Sequence, residues 1–126
     1  PTAITGIINA PHSDCLLLSG TTNAGDEVYV EAIENRVTKI SKNRNLIKDS
    51  VGEYVGIAKI SKLLYDRLIQ FADSNPKLSY DMDCLVQIAS EHPVYYFRME
   101  GLDWAEIDDL EQLARAQKVL ERIEAT

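Results

Sequence analysis

The run Cys15-Leu16-Leu17-Leu18, entered from Asp14 and closed by Ser19, constrains this chain more than any other stretch. It is apolar without alternation, so it reads as a buried strand that other elements must cover. Residues 2–10 are short and weakly helical, and Gly20 to Asp26 is a turn-rich loop. From Glu27, Val28, Val30, Ala32 and Ile33 alternate imperfectly with Tyr29 and Glu31. Asn35-Arg36 turns the chain, and Val37 and Ile40 follow on a second strand, which is a hairpin signal. After a polar loop from Lys42 to Ser50, Glu53 to Ile60 reads as a further buried strand. Ser61 is placed to cap a helix carrying Leu63, Leu64, Leu68, Ile69 and Phe71 at helical spacing. Asn75-Pro76 ends that helix, and Tyr80 to Ser90 carries Met82, Leu85, Val86 and Ala89 on one face of the next. Val94 to Met99 is β-prone, and Leu113, Ala116, Leu120 and Ile123 form one face of a C-terminal helix. Strands alternating with helices predict an α/β chain, Rossmann-like, with three α/β/α layers and a mixed sheet. With 126 residues and no repeat or linker, residues 1–126 form a single domain.

Charge and composition exclude several classes. Thirteen Lys plus Arg against 20 Asp plus Glu leave a net charge of −7, so the basic face that nucleic acid requires is missing. Hydrophobic residues at 45% argue against disorder. No apolar run reaches the ~18 residues of a membrane span, and Pro1 to Asp14 lacks the order of a signal peptide. A soluble, cytoplasmic protein is expected. Cys15 and Cys84 have no metal-ligand spacing and read as small buried hydrophobes. His12 and His92 flank prolines without a partner at a telling distance, so turn or surface roles are expected of both. Ser13, Ser19 and Ser79 lack the surroundings of a nucleophile. Tyr95, Tyr96 and Phe97 read as packing residues, and Lys59 and Lys62 as solvated.

Chemistry concentrates between Trp104 and Gln117, where a strand gives way to a helix through adjacent carboxylates. A carboxylate at the C-terminal end of a strand projects into the crevice where α/β proteins bind ligands, and Mg²⁺ takes one or two of these together with phosphate oxygens. Asp108 or Asp109 followed three residues later by Glu111 or Gln112 is equally a capping box. Both readings stand on periodicity.

The string Trp104-Ala105-Glu106-Ile107-Asp108-Asp109-Leu110-Glu111-Gln112-Leu113-Ala114-Arg115-Ala116 resembles the closing motif of the sugar-phosphate and choline-phosphate nucleotidyltransferases. Two further stretches fall in that family's order. Arg36 to Lys42 resembles the strand leading to its acceptor-phosphate lysine, with Ser41 and Asn43 in place of the usual Glu and Pro. Gly52-Glu53-Tyr54-Val55-Gly56-Ile57 is similar to a strand of the cytidylyltransferase-like branch, and Tyr80-Asp81-Met82-Asp83 to a helix start facing the acceptor.

The resemblance implies Asp108 as a catalytic Mg²⁺ ligand and Lys42 as the contact to the acceptor phosphate. It implies Glu53, Tyr54, Gly56 and Trp104 as substrate-binding residues, with Gly56 letting substrate approach the backbone. The family's first strand, its Gly-rich triphosphate loop and its first metal Asp have no match. The chain is therefore expected to be the C-terminal, acceptor-binding part of such a domain, with the N-terminal nucleotide-binding half missing.

The implied reaction is Mg²⁺-dependent transfer of a nucleoside monophosphate from a nucleoside triphosphate, CTP by preference, to a small phosphorylated or phosphonate acceptor, with release of pyrophosphate. The alternative is a non-catalytic fragment or degenerate relative acting as an interaction module. An unpaired sheet edge would favour pairing with another copy, so a homo-oligomer is compatible with the sequence.

Overall fold

A computed structural model describes residues 2–78 and 81–126. Strand β1 (Cys15–Ser19) is its centre, with every residue at 0–1% exposure. It pairs antiparallel with β4 (Ser50–Lys59) and parallel with β5 (Tyr95–Met99). Successive side chains of β1 point to opposite faces. Leu16 and Leu18 join Leu64 of helix α2 (Lys62–Ser74) and Leu85, Ile88 and Ala89 of α3 (Asp81–Ala89) in one apolar cluster. Cys15 and Leu17 face the other way, packing with Ile7 of α1 (Thr2–Asn9), Phe97 and Met99. An apolar strand without alternation thus has helices on both sides, the physical reason for its sequence.

The remaining strands depart from an open three-layer sheet. β2 (Tyr29–Ile33) and β3 (Arg36–Ser41) form the expected hairpin, its two central residues Glu34 and Asn35 both at positive φ, as a type I′ turn requires. The sheet order is β1-β4-β2-β3-β5, and Arg36 of β3 meets Tyr95 of β5, so the sheet closes on itself. The cause lies in β4, whose first residues pair with β2 and whose later ones pair with β1 across a register shift. A long, bulged strand coils and carries the hairpin round until the edges meet. The fold is mixed α/β, as expected, with closure replacing the open Rossmann sheet.

Three polar contacts hold the N-terminal end of the β1/β5 pair. The buried Asp14 carboxylate accepts the Ser61 N–H at 2.6 Å, the Ser61 hydroxyl at 3.1 Å and a hydrogen bond with His92 Nε2 at 2.6 Å. Burial pushes the Asp14 carboxyl up, but the Ser61 and His92 hydrogen bonds outweigh it and hold the carboxyl below its usual range. Ser61 in turn caps α2, accepting the Leu64 N–H. His92 is therefore a partnered, structural histidine, and His12 stacks on Tyr95 with ring centroids 3.6 Å apart. Lys59, expected to be solvated, donates to the Ile8 and Ala10 carbonyls at the end of α1, while Lys62 is exposed and paired with Asp66. Ser79 and Tyr80 lie outside the described residues.

Candidate functional site

Because β1 and β5 run parallel, their C-terminal ends open on the same side, the place where α/β sheets bind ligands. A cavity of about 420 Å³ lies there. One wall is the loop after β1, Thr21 to Ala24 with Asp26; another is Leu102 and Trp104 to Glu106, after β5. The third is one face of helix α4 (Leu110–Glu124), formed by Arg115, Lys118, Val119 and Arg122.

The first wall is held from behind. Glu53 of β4, 3% exposed, accepts the Thr22 N–H at 3.0 Å and the Thr22 hydroxyl at 2.7 Å. Charge-assisted bonds of this kind fix the loop. Farther along, Glu27 accepts the Gly25 N–H, which holds its carboxyl low. The Tyr29 phenol is pushed up by burial and by the Glu27 and Glu53 carboxylates, and the Arg44 guanidinium lies 5.5 Å from its ring centroid.

The α4 wall begins at an N-cap with a side chain reaching back. Asp109 is the N-cap and accepts the Gln112 N–H at 2.7 Å, while the Gln112 side-chain carbonyl accepts the Asp108 N–H. The Gln112 amide then donates to Asp26 at 2.6 Å, and Arg115 reaches the same carboxylate at 3.3 Å. Asp26 thereby ties the β1 loop to α4. At the other end Arg122 pairs with Asp103 at 3.2 Å.

The residues expected to form the site divide between three places. Trp104 is in the cavity wall, and its indole N–H is buried without an acceptor among the described residues. Glu53 acts on the cavity through Thr22. Asp108, two residues past Glu106, is exposed and is not among the residues lining the cavity, and its carboxylate makes no hydrogen bond or ion pair among the described residues. No group of three or more His, Cys, Asp or Glu able to hold a metal ion occurs among the described residues.

Lys42, Tyr54 and Gly56 stand elsewhere. Ser19, Glu53, Tyr29 and Ser41 are in register across β1, β4, β2 and β3, and Lys42 directly follows this row at the end of β3. It is exposed and outside the cavity wall. Tyr54 packs on the Leu16–Leu18 cluster. Gly56, at φ +82°, sits within the β4 register shift with open space around it, so its backbone freedom serves the bulge. The glycine that permits close approach is Gly52, where a Cβ would lie 2.7 Å from the Ser19 carbonyl.

Sequence reasoning missed Arg115, Lys118 and Arg122. Their spacing of three and four residues was a usable signal, since it places them on one helical face turned away from Leu113 and Leu120.

No family model matches the chain. Among solved structures, the CTP:phosphocholine cytidylyltransferase of Streptococcus pneumoniae aligns over 86% of this chain with a TM-score of 0.66 and 15% identity. The inositol-1-phosphate CTP transferase of T. maritima aligns over 98% with a TM-score of 0.68 and 18% identity. A CMP:2-keto-3-deoxy-manno-octonic acid synthetase complexed with CTP aligns over 96%, with a TM-score of 0.63 and 16% identity. The chain spans about half the length of each, 49%, 51% and 54%. Its fold is similar to about half of each of these structures.

Proposed function

We propose that this chain is the acceptor-binding part of a nucleotidyltransferase that uses CTP and a small phosphorylated or phosphonate acceptor. One observation carries the proposal: the Trp104 segment, which resembles the family's closing motif, forms a wall of the cavity at the ends of the parallel β1/β5 pair. The solved structures of similar fold are named for CTP-dependent transfer, which supports the choice of nucleotide.

In the reaction an acceptor oxygen attacks the α-phosphorus of the triphosphate. A new P–O bond forms as the bond to the bridging oxygen breaks, and pyrophosphate leaves. Positioning and charge neutralisation dominate such chemistry. Glu53 contributes by fixing Thr22, which keeps the β1 loop in one shape. Trp104 supplies an aromatic wall against which the acceptor orients. Asp108 presents a free, hard carboxylate of the type that fits Mg²⁺, whose remaining ligands are commonly water and substrate phosphate. The ion would neutralise phosphate charge there. Lys42, the contact to acceptor phosphate that the resemblance implies, follows β3 outside the cavity wall and enters this reading through the resemblance alone. The two cysteines are free and buried, which supports a reducing, cytoplasmic setting. Among the described residues no helix is long and apolar enough to cross a membrane.

The test is pyrophosphate release by the natural protein with each nucleoside triphosphate, Mg²⁺ and a panel of phosphomonoesters. CTP should support the fastest release, and Asp108→Asn should slow it at least tenfold, because loss of a metal ligand removes several kcal/mol of charge stabilisation, ~2 or more. No release with any nucleotide would transfer the assignment to a non-catalytic interaction module. That second reading is favoured by Leu110, Leu120 and Ile123, which are exposed along α4 and available to a partner, another copy included.

A further inference from the structure

We propose that the outer face of α4 is a self-association surface, on which two copies of this chain pair their α4 helices antiparallel. The pairing is independent of the transfer step. Leu113, Ala116, Leu120 and Ile123 follow one another at intervals of three, four and three residues, the repeat of a two-helix seam. Leu113, Leu120 and Ile123 are 39–53% exposed, and no α4 residue belongs to either apolar cluster of the described residues. The tethers to Asp26 and Asp103 leave from Gln112, Arg115 and Arg122, on a different side of the helix. A helix of fifteen residues draws most of its stability from burying an apolar stripe, and this stripe is bare.

The spacing itself selects a second copy as the partner. Intervals of three, four and three read the same in either direction, so two identical stripes laid antiparallel match residue for residue. Leu113 then meets Ile123 of the other copy, and Ala116 meets Leu120, a large side chain against a small one that lets the helices interdigitate. The stripe carries no charge, and uncharged Gln117 and Val119 flank its middle, so like charges do not oppose contact there. Leu110, Leu113, Leu120 and Ile123 together present about 400 Å² of surface, against ~800 Å² from each partner of a standard interface, so the pair is weak, half-associated at about 10–100 µM. At ~1 µM the chain is then monomeric and α4 stays open to water. At higher concentration pairing backs the cavity wall from outside, adding apolar burial to a helix held by polar tethers.

Sedimentation velocity of the natural protein over ~1–300 µM tests the pairing. The expected result is a reversible monomer–dimer equilibrium that strengthens with salt, since two chains of charge −7 repel at long range. Leu120→Ala should weaken association at least about tenfold, because each copy loses an apolar contact, while Leu46→Ala, an exposed leucine outside α4, should match wild type. Orientation is read from Leu113→Cys and Ile123→Cys under mild oxidation, the native Cys15 and Cys84 being buried. A disulfide-linked pair should form when the two variants are mixed and not from either alone.

The proposal is overturned by a monomer at every concentration, by a dimer that Leu120→Ala leaves intact, by dissociation on adding salt, or by cross-linking of either cysteine variant with itself. A monomer whose α4 amides are nonetheless protected from hydrogen exchange would overturn it in favour of cover by another part of its own polypeptide. Circular dichroism of each variant separates misfolding from lost pairing, and the cysteine pair decides the question if Leu120→Ala is unfolded. Intact pairing without pyrophosphate release would remove the transferase reading and leave this one standing, and release by a strict monomer would do the reverse.

Discussion

Strand β1 carries one of the loops that wall the cavity and helix α4 forms another wall, and the two elements are held in opposite ways. All five β1 residues are at 0–1% exposure, packed by helices on both faces and laddered to a strand on each side. In α4 the one buried residue among the fifteen is polar, Gln112, while Leu110, Leu113, Leu120 and Ile123 are 39–83% exposed. The helix is tied on by hydrogen bonds and ion pairs through Asp26 and Asp103. Apolar burial fixes a wall without regard to ligand, whereas polar tethers in partial contact with water contribute less each and can exchange partners. The cavity thus has one rigid side and one side built from groups that a charged ligand can engage.

The sharpest way to break this comparison is to make one deletion in both places. Leu17→Ala should cost ~3–4 kcal/mol of stability, since it opens a cavity in a fully packed strand. Leu120→Ala should change stability by less than ~0.5 kcal/mol, because that side chain is half exposed. Urea denaturation of both variants measures the difference. Similar losses would mean that the α4 apolar face is covered in the natural protein.

Next in size is Asp14→Asn, expected to cost ~2 kcal/mol at pH 7 by removing the charged acceptor of the Ser61 and His92 bonds. The sign with pH follows from a folded-state carboxyl held below its unfolded range. Its contribution is present above the unfolded carboxylate pKa of ~3.9 and is lost as pH falls through the folded value. Wild type and variant should therefore converge in urea midpoint as pH falls through the folded value and diverge toward neutrality. The effect should reach β1, β5 and α2 and leave α4 protection unchanged.

Smallest is Asp26→Ala. It removes the acceptor shared by Gln112 and Arg115 at a cost of ~1 kcal/mol, felt as local opening of α4. Hydrogen exchange should accelerate in α4 and in the β1 loop while β1 itself keeps its protection. Equal acceleration in β1 would show the two regions to be one cooperative unit.

Much of the architecture was legible because it is written in local patterns. The apolar run at Cys15, the hairpin, the Ser61 cap and the three longer helical periodicities each need a few neighbouring residues to be read, and each is present. β4 begins at Ser50, before the expected Glu53, because pairing of Ser50 with Glu31 extends it. Of the expected site, Trp104 stands in the cavity wall and Glu53 braces it, whereas Tyr54 and Gly56 serve packing and the bulge. Asp109 caps α4 through the Gln112 N–H, as periodicity also allowed, and the Gln112 side chain reaches back to the Asp108 N–H, one residue before the cap.

The amino-acid order by itself determined which segments are strands and helices, which helix carries a basic stripe, and where helices start. Propensity, capping and periodicity act within about one turn or one strand. Tertiary structure decided the partnerships that cross the chain. Asp14 finds His92 at a separation of 78 residues, Thr22 finds Glu53 at 31, and Asp26 finds Gln112 at 86. Closure of the sheet through Arg36 and Tyr95 is of the same kind. Such contacts depend on how a bulged strand coils and on where two parallel strand ends come to lie, properties of the packed sheet that no single segment contains.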